Sequence, residues 1–180
     1  MAQGYEFLAR RPDHKDILEE VCLFLGDAPQ WFTTREVVGA TNHCGAVMAA
    51  NMRLCLLEPP SAQRSSILQA AYSAIGNGPV VRGIQRTRMF LASQGIDAHV
   101  VHAMCLRSIT WYLSMRRPCA LLVLGSSLSA WHWVVAYGYV VMRDGTRFLQ
   151  IADGWNSRPR YFRNRAGSRI VSGAAFFTGT

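Results

Sequence analysis

The chain has 180 residues, of which 50% are hydrophobic and 11% aromatic, so it has the apolar side chains for a substantial core and is not disordered as a whole. No apolar stretch approaches the roughly 20 uninterrupted residues of a membrane-spanning helix, and the N-terminus lacks the pattern of a signal peptide. We therefore expect a soluble, cytoplasmic protein.

The formal net charge is +8, and many of the arginines lie in two stretches, 82–88 and 158–169. Basic clusters are typical of proteins that bind nucleic acids or acidic partners. The sequence has no recognisable nucleic-acid-binding module, so we do not expect a nucleic-acid ligand. A solvated, basic surface that attracts an acidic partner or substrate is the interpretation we favour.

The first half of the chain has the apolar spacing of helices. Residues 13–25, with Asp13 as a cap, predict a helix within an N-terminal helical extension over residues 1–30. A helix buried on most sides is predicted over 43–57, where Ala, Met and Leu predominate before Pro59-Pro60. Two further helices are expected, over 62–75 and about 81–94.

The second half of the chain has the apolar runs and alternation that are typical of strands. Strands are predicted over 96–103, 119–125, 131–142, 147–153 and 169–177, with one helix over 107–117. Asp144-Gly145 is a hairpin signal between two of these strands. Helices followed by an antiparallel sheet predict an α+β fold, and the length favours a single domain over residues 1–180.

The five cysteines include no CxxC pair and are odd in number, which argues against a disulfide framework or a zinc site. We expect no metal or other cofactor. Cys44 alone has polar and glycine neighbours and precedes a predicted helix, whose N-terminus favours a thiolate and offers unpaired N–H groups to an oxyanion. It is either a nucleophile or a small apolar residue at the start of a buried helix.

A cysteine nucleophile needs a base, and His132 lies at the start of the predicted strand 131–142. Pairing about the Asp144-Gly145 turn joins residues whose numbers sum to about 289, which brings Asp153 diagonally close to His132. A carboxylate there would fix the tautomer of the imidazole. The alternatives are a buried core histidine and an aspartate that belongs to the turn before Gly154.

The segments NHCGAVMAANM, RRPCALLVLG and SAWHWVVAYGYVVMRDGTRFLQIADGW resemble papain-like cysteine peptidases, in particular the bacterial family related to double-glycine leader (bacteriocin-processing) peptidases. The resemblance covers roughly residues 38–163. It implies a papain-like fold, in which a helical lobe led by the cysteine helix packs on an antiparallel sheet. It also implies Cys44 as nucleophile, His132 as base and Asp153 as the orienting acid.

This chain differs from the family at the side chain that stabilises the oxyanion. The family has a glutamine before the cysteine, and this chain has Val38 at that position. Asn42 is the nearest amide, so we expect it to be the oxyanion donor, with Gln30 as a distant second choice.

These residues predict a cysteine-dependent hydrolase that cleaves a peptide or isopeptide bond through an acyl-thioester. The same residues serve transglutaminase-like acyltransferases and amidases, and a catalytically inactive papain-like binding module is a third alternative. The expected partner is a peptide or protein substrate. Arg158, Arg160 and Arg163 follow Asp153 closely enough to lie at the active-site end of the sheet, where they would favour acidic substrates. The alternative, which we favour, is a solvated surface charge with no role in recognition.

Overall fold

A computed structural model describes residues 7–8, 11–24, 29–36, 43–57, 63–77, 80, 82–124, 131–163 and 169–179. The helices are α1 (Cys44–Leu56), α2 (Arg64–Ile75), α3 (Gly83–Ser93) and α4 (Leu106–Ser114). The strands are β1 (Phe7–Leu8), β2 (Ile17–Cys22), β3 (Ala98–His102), β4 (Cys119–Leu124), β5 (His132–Met142), β6 (Arg147–Ala152), β7 (Arg160–Phe162) and β8 (Arg169–Thr178). Helices combined with an antiparallel sheet make this an α+β fold, as expected.

The strands within the described residues form one antiparallel sheet in the order β1-β7-β6-β5-β4-β8-β3, with β2 attached to β5. Strand β5 is the centre of this arrangement. One of its edges pairs with β6. The other edge is shared, because β4 pairs with residues 132–136 and β2 pairs with residues 138–142.

Each face of the sheet has its own hydrophobic core. Trp133, Val135 and Tyr137 of β5 face the core that contains α1, α2 and α3. Val134 and Ala136 face the second core, against α4. This alternation follows from the two-residue period of a strand. Helix α1 is buried along most of its length, which accounts for its continuous apolar sequence.

The elements expected from residue 43 onwards are confirmed within one to three residues at their ends. The helix predicted over 13–25 is wrong, and so is the helical character of the N-terminal extension in its described part. Residues 14–16 make a single 3₁₀ turn, and residues 17–22 form β2. The shared edge of β5 explains the difference, because a long-range backbone partner outweighs the local apolar spacing.

A substitution at Gly138 tests whether residues 17–22 form a strand against β5, because β2 passes very close to Gly138. A Cβ atom at Gly138 would lie 2.5 Å from the carbonyl oxygen of Val21 and 2.4 Å from Oε1 of Gln150. We expect Gly138→Ala to lower the free energy of unfolding by about 1–3 kcal/mol, as overpacking does. Urea denaturation measures the loss.

Gly179→Ala is the matched control, since its Cβ would meet only His99 at an ordinary 3.5 Å. If Gly138→Ala left stability unchanged, β2 would not lie against β5.

Candidate active site

Cys44 is the first residue of α1, and the backbone around it is held firmly. The first N–H donor to an intrahelical carbonyl is that of Val47, which donates to the His43 oxygen at 2.9 Å. The N–H groups of Cys44, Gly45 and Ala46 therefore precede the first intrahelical hydrogen bond. Gly45 is buried, and a Cβ atom there would lie 3.1 Å from Ile75, so the start of α1 packs closely on its surroundings.

The Cys44 thiol is half-buried beside strand β5. Burial has the largest effect and raises the pKa of Cys44, whereas hydrogen bonds from the backbone N–H groups of Trp133, Gly45 and Cys44 itself lower it. The N–H of Trp133 immediately follows His132 in the chain, so the thiol lies next to the backbone of the expected base. Because the pKa is raised overall, the resting thiol keeps its proton, contrary to what a helix N-terminus alone predicts.

His132 is 4% exposed, and its ring has two defined contacts. Nε2 lies 2.6 Å from the carbonyl oxygen of Asp153, and the ring stacks on Trp155 with centroids 3.8 Å apart and planes 15° apart. A carbonyl oxygen can only accept, so Nε2 carries the proton and Nδ1 is the basic nitrogen of the neutral ring.

The environment of His132 favours this neutral ring. Burial lowers the pKa of His132, while the hydrogen bond to the Asp153 carbonyl and the charge of the Asp153 carboxylate act in the opposite direction. The result is a pKa below 6.5, so His132 is a free base near neutral pH.

The Asp153 carboxylate is fully buried and organises the turn after β6. Oδ1 accepts the backbone N–H groups of Trp155 and Asn156, both at 2.9 Å, and Oδ2 accepts the side-chain amide of Asn156 at 2.8 Å. Arg160 forms an ion pair with Oδ2, with Nε at 3.6 Å. The hydrogen bond to His132 thus comes from the main chain of Asp153, and its side chain has the role expected of a turn residue.

The strand register explains why the main chain of Asp153, and not its side chain, contacts His132. Val140 pairs with Phe148, one residue nearer the turn than expected, and a β-bulge between Ala136 and Gly138 shifts the pairing by one more residue. Trp155 then lies against His132, and the expected partner near residue 157 does not. Sequence reasoning missed Trp155, because a bulge in β5 leaves no local signal.

The remaining residues expected at the site are Asn42 and the three arginines that follow Asp153. Asn42 lies outside the described residues. Arg160 reaches Asp153, and Arg158 is exposed near the same turn. Arg163 is not at this end of the sheet, because its Nη2 lies 3.5 Å from Oγ1 of Thr146 beside the hairpin. That part of the expectation is wrong: β7 runs away from the site.

Two kinds of feature are absent from the described residues. His, Cys, Asp and Glu side chains do not gather there in any group of three or more that could hold a metal ion. In the same part of the chain, no helix has the length and apolar character that crossing a membrane requires.

No family model and no curated protein matches this sequence. Among solved structures, the chain is similar to the bromelain protease from Ananas comosus, determined in complex with the E64 inhibitor. The match covers 84% of this chain and 100% of that chain, with 16% sequence identity and a TM-score of 0.49. A likeness of this size does not by itself establish a family or a reaction.

The pKa of His132 is the first test of the site. We expect a value below 6.5 by NMR titration of the ring, because burial disfavours the imidazolium. Asp153→Asn should lower it further, since it removes a charge that stabilises the imidazolium.

Asp144→Asn, on the exposed hairpin, is the matched control and should leave the titration of His132 unchanged. A midpoint at or above 6.5 would contradict the buried, neutral ring.

Proposed function

We propose that the chain is a papain-like cysteine peptidase, with the residues described forming one domain. Cys44 is the nucleophile, His132 the general base and Asp153 the residue that orients the base. The observation that carries this proposal is the position of the Cys44 thiol against the backbone N–H of Trp133, directly after a buried histidine whose Nε2 is held by Asp153. The sequence motifs around these residues favour the double-glycine leader peptidase-like family.

The first half of the reaction forms an acyl-enzyme. Nδ1 of His132 takes the proton of the Cys44 thiol as the thiolate attacks the carbonyl carbon of the scissile bond. The C–N bond of the tetrahedral intermediate then breaks. The imidazolium gives its proton to the leaving amine, and an acyl-thioester remains on Cys44.

The second half returns the enzyme to its starting state. Nδ1 of His132 takes a proton from water as the water oxygen attacks the thioester carbonyl. The C–S bond breaks, the carboxylic acid leaves, and the proton returns to the sulfur of Cys44. Hydrolysis thus consumes one water and needs no other reactant.

The backbone at the start of α1 supports the oxyanion. The backbone N–H groups of Cys44 and Gly45 lower the pKa of the thiol, so they stabilise negative charge at this position. A carbonyl carbon bonded to that sulfur would have its oxygen within reach of the same donors. We propose Asn42 as the side-chain donor.

The protonation states of Cys44 and His132 support a proton transfer that occurs during attack on the substrate and not before it. Cys44 has a raised pKa and His132 a lowered one, so the resting pair is a neutral thiol and a neutral imidazole. Proton transfer therefore accompanies attack on a bound substrate. The acid limb of the rate profile should lie below pH 6.5, where His132 becomes protonated.

Product analysis separates the peptidase from the acyltransferase. Both reactions share the acyl-thioester, and they differ in whether water or an amine attacks it. An added lysine-containing peptide would appear in the products of an acyltransferase at the expense of the free acid. A binding module would form no acyl-enzyme.

Three substitutions test the catalytic assignment. Cys44→Ala and His132→Ala should each lower kcat/KM by at least about 10⁵-fold, because nucleophile and base act as a unit. Asp153→Ala should lose far less, because it keeps the main-chain carbonyl that accepts from Nε2 and removes only the carboxylate that stabilises the imidazolium and holds the turn. The measurement is turnover of a peptide identified from a library.

Cys105→Ser is the matched control for the nucleophile. Cys105 is exposed, and hydrogen bonds from Ser108 lower its pKa, so it reacts with alkylating reagents without belonging to the site. Its variant should keep full turnover, and iodoacetamide labelling must be mapped to individual cysteines. Full turnover by Cys44→Ala would refute the assignment.

A further inference from the structure

A cavity of about 420 Å³ opens between α3 and the sheet. Its floor is apolar and comes from Val100, Leu122 and Trp133, on neighbouring parts of the fold. Its rim is basic and polar, with Arg82, Arg88 and His102 all exposed to solvent. The cavity therefore combines an apolar interior with a positively charged mouth.

Trp133 connects this cavity to the thiol. Its backbone N–H donates to Cys44, and its indole lines the cavity. The indole packs tightly on Gly83, where a Cβ would lie 2.7 Å from Cζ2, and is in ordinary contact with Gly45, where a Cβ would lie 3.9 Å from Cδ1. The cavity and the reacting sulfur are thus on either side of a single residue.

Within the described residues, the arginine side chains at the mouth of this cavity form no ion pair. None of the residues that line it is acidic, and none of the ion pairs formed there uses Arg82 or Arg88. Arg86, from the same stretch, is by contrast committed to the carbonyl oxygen of Ile75 at 2.6 Å. The two free guanidinium groups are therefore able to bind an anionic group from outside.

A further polar group in the cavity wall lacks a partner. Trp133 is 2% exposed, and its indole N–H has no acceptor among the described residues. That nitrogen is enclosed by the protein and lies against Gly83, so the groups of the cavity that can reach a bound molecule are the two arginines and the apolar floor. The chemistry of the cavity thus fits a carboxylate on a short aliphatic stem.

We propose that this cavity is a specificity subsite that binds the side chain of a glutamate or aspartate beside the scissile bond of the substrate. The inference rests on the proposed peptidase function, since it assigns the cavity to the substrate of Cys44. The preference comes from Arg82 and Arg88.

Both arginines are exposed, so their attraction is screened by salt and each contributes modestly. We expect peptides with an acidic residue at the bound position to react about 5- to 50-fold faster than their amide counterparts at low salt. The difference should appear mainly in KM and shrink as salt rises.

A peptide library read by mass spectrometry tests the preference. The wild-type protein should cleave sites enriched in Glu or Asp at one fixed distance from the broken bond, and Arg82→Gln/Arg88→Gln should lose the enrichment. Arg107→Gln is the matched control, because Arg107 is an exposed arginine on α4, across the sheet. Unchanged enrichment in the double variant would overturn the proposal.

A binding measurement is independent of turnover. In ¹⁵N-labelled Cys44→Ala protein, the indole resonance of Trp133, assigned with Trp133→Phe, should shift on titration with an acetyl-glutamate amide peptide. Its glutamine counterpart should have little effect. No shift with either peptide overturns the subsite even if cleavage occurs. A shift without any cleavage by the wild type would overturn the peptidase function and leave an acidic-peptide site.

Discussion

The packing of the α1 N-terminus on strand β5 is the contact on which the rest of the candidate site depends. Trp133 lies at the centre of this contact. Its backbone N–H donates to the Cys44 thiol, and its indole lies beside Gly45 and Gly83. Glycine at position 83 allows α3 to approach the ring more closely than a side chain would permit. The two halves of the fold, helical and sheet-forming, meet there with the thiol at their junction.

Burial at this junction opposes the formation of charge. The raised pKa of Cys44 and the lowered pKa of His132 have the same main cause, the removal of water from around both groups. The helix N-terminus and the Asp153 carboxylate each oppose that effect only in part. In the proposed mechanism, the proton therefore stays on the sulfur of Cys44 until a substrate carbonyl is bound, and the backbone N–H groups at the start of α1 then stabilise the charge that develops.

The sequence predicted those features that local chemistry determines. Asp144-Gly145 indicated the hairpin, and Cys44 and Asp153 were each placed correctly at the end of an element. Features that depend on distant partners were missed, namely the strands β1, β2 and β7, the bulge near Tyr137 and the stacking of Trp155 on His132. Each arises from backbone pairing between segments far apart in the chain, and apolar spacing carries no record of such pairing.

The shared edge of β5 gives the N-terminal segment a protective role. Beyond Ala136, β4 no longer pairs with this edge, and β2 alone covers it through Met142. Glu20 accepts a hydrogen bond from the Gln150 side chain at 2.7 Å, and Glu19 accepts one from the Tyr139 hydroxyl, so β2 is also tied to the sheet by its side chains. Deleting β2 would uncover a row of backbone donors and acceptors able to recruit a strand from another molecule. The same strand that presents His132 would then become a nucleus for aggregation.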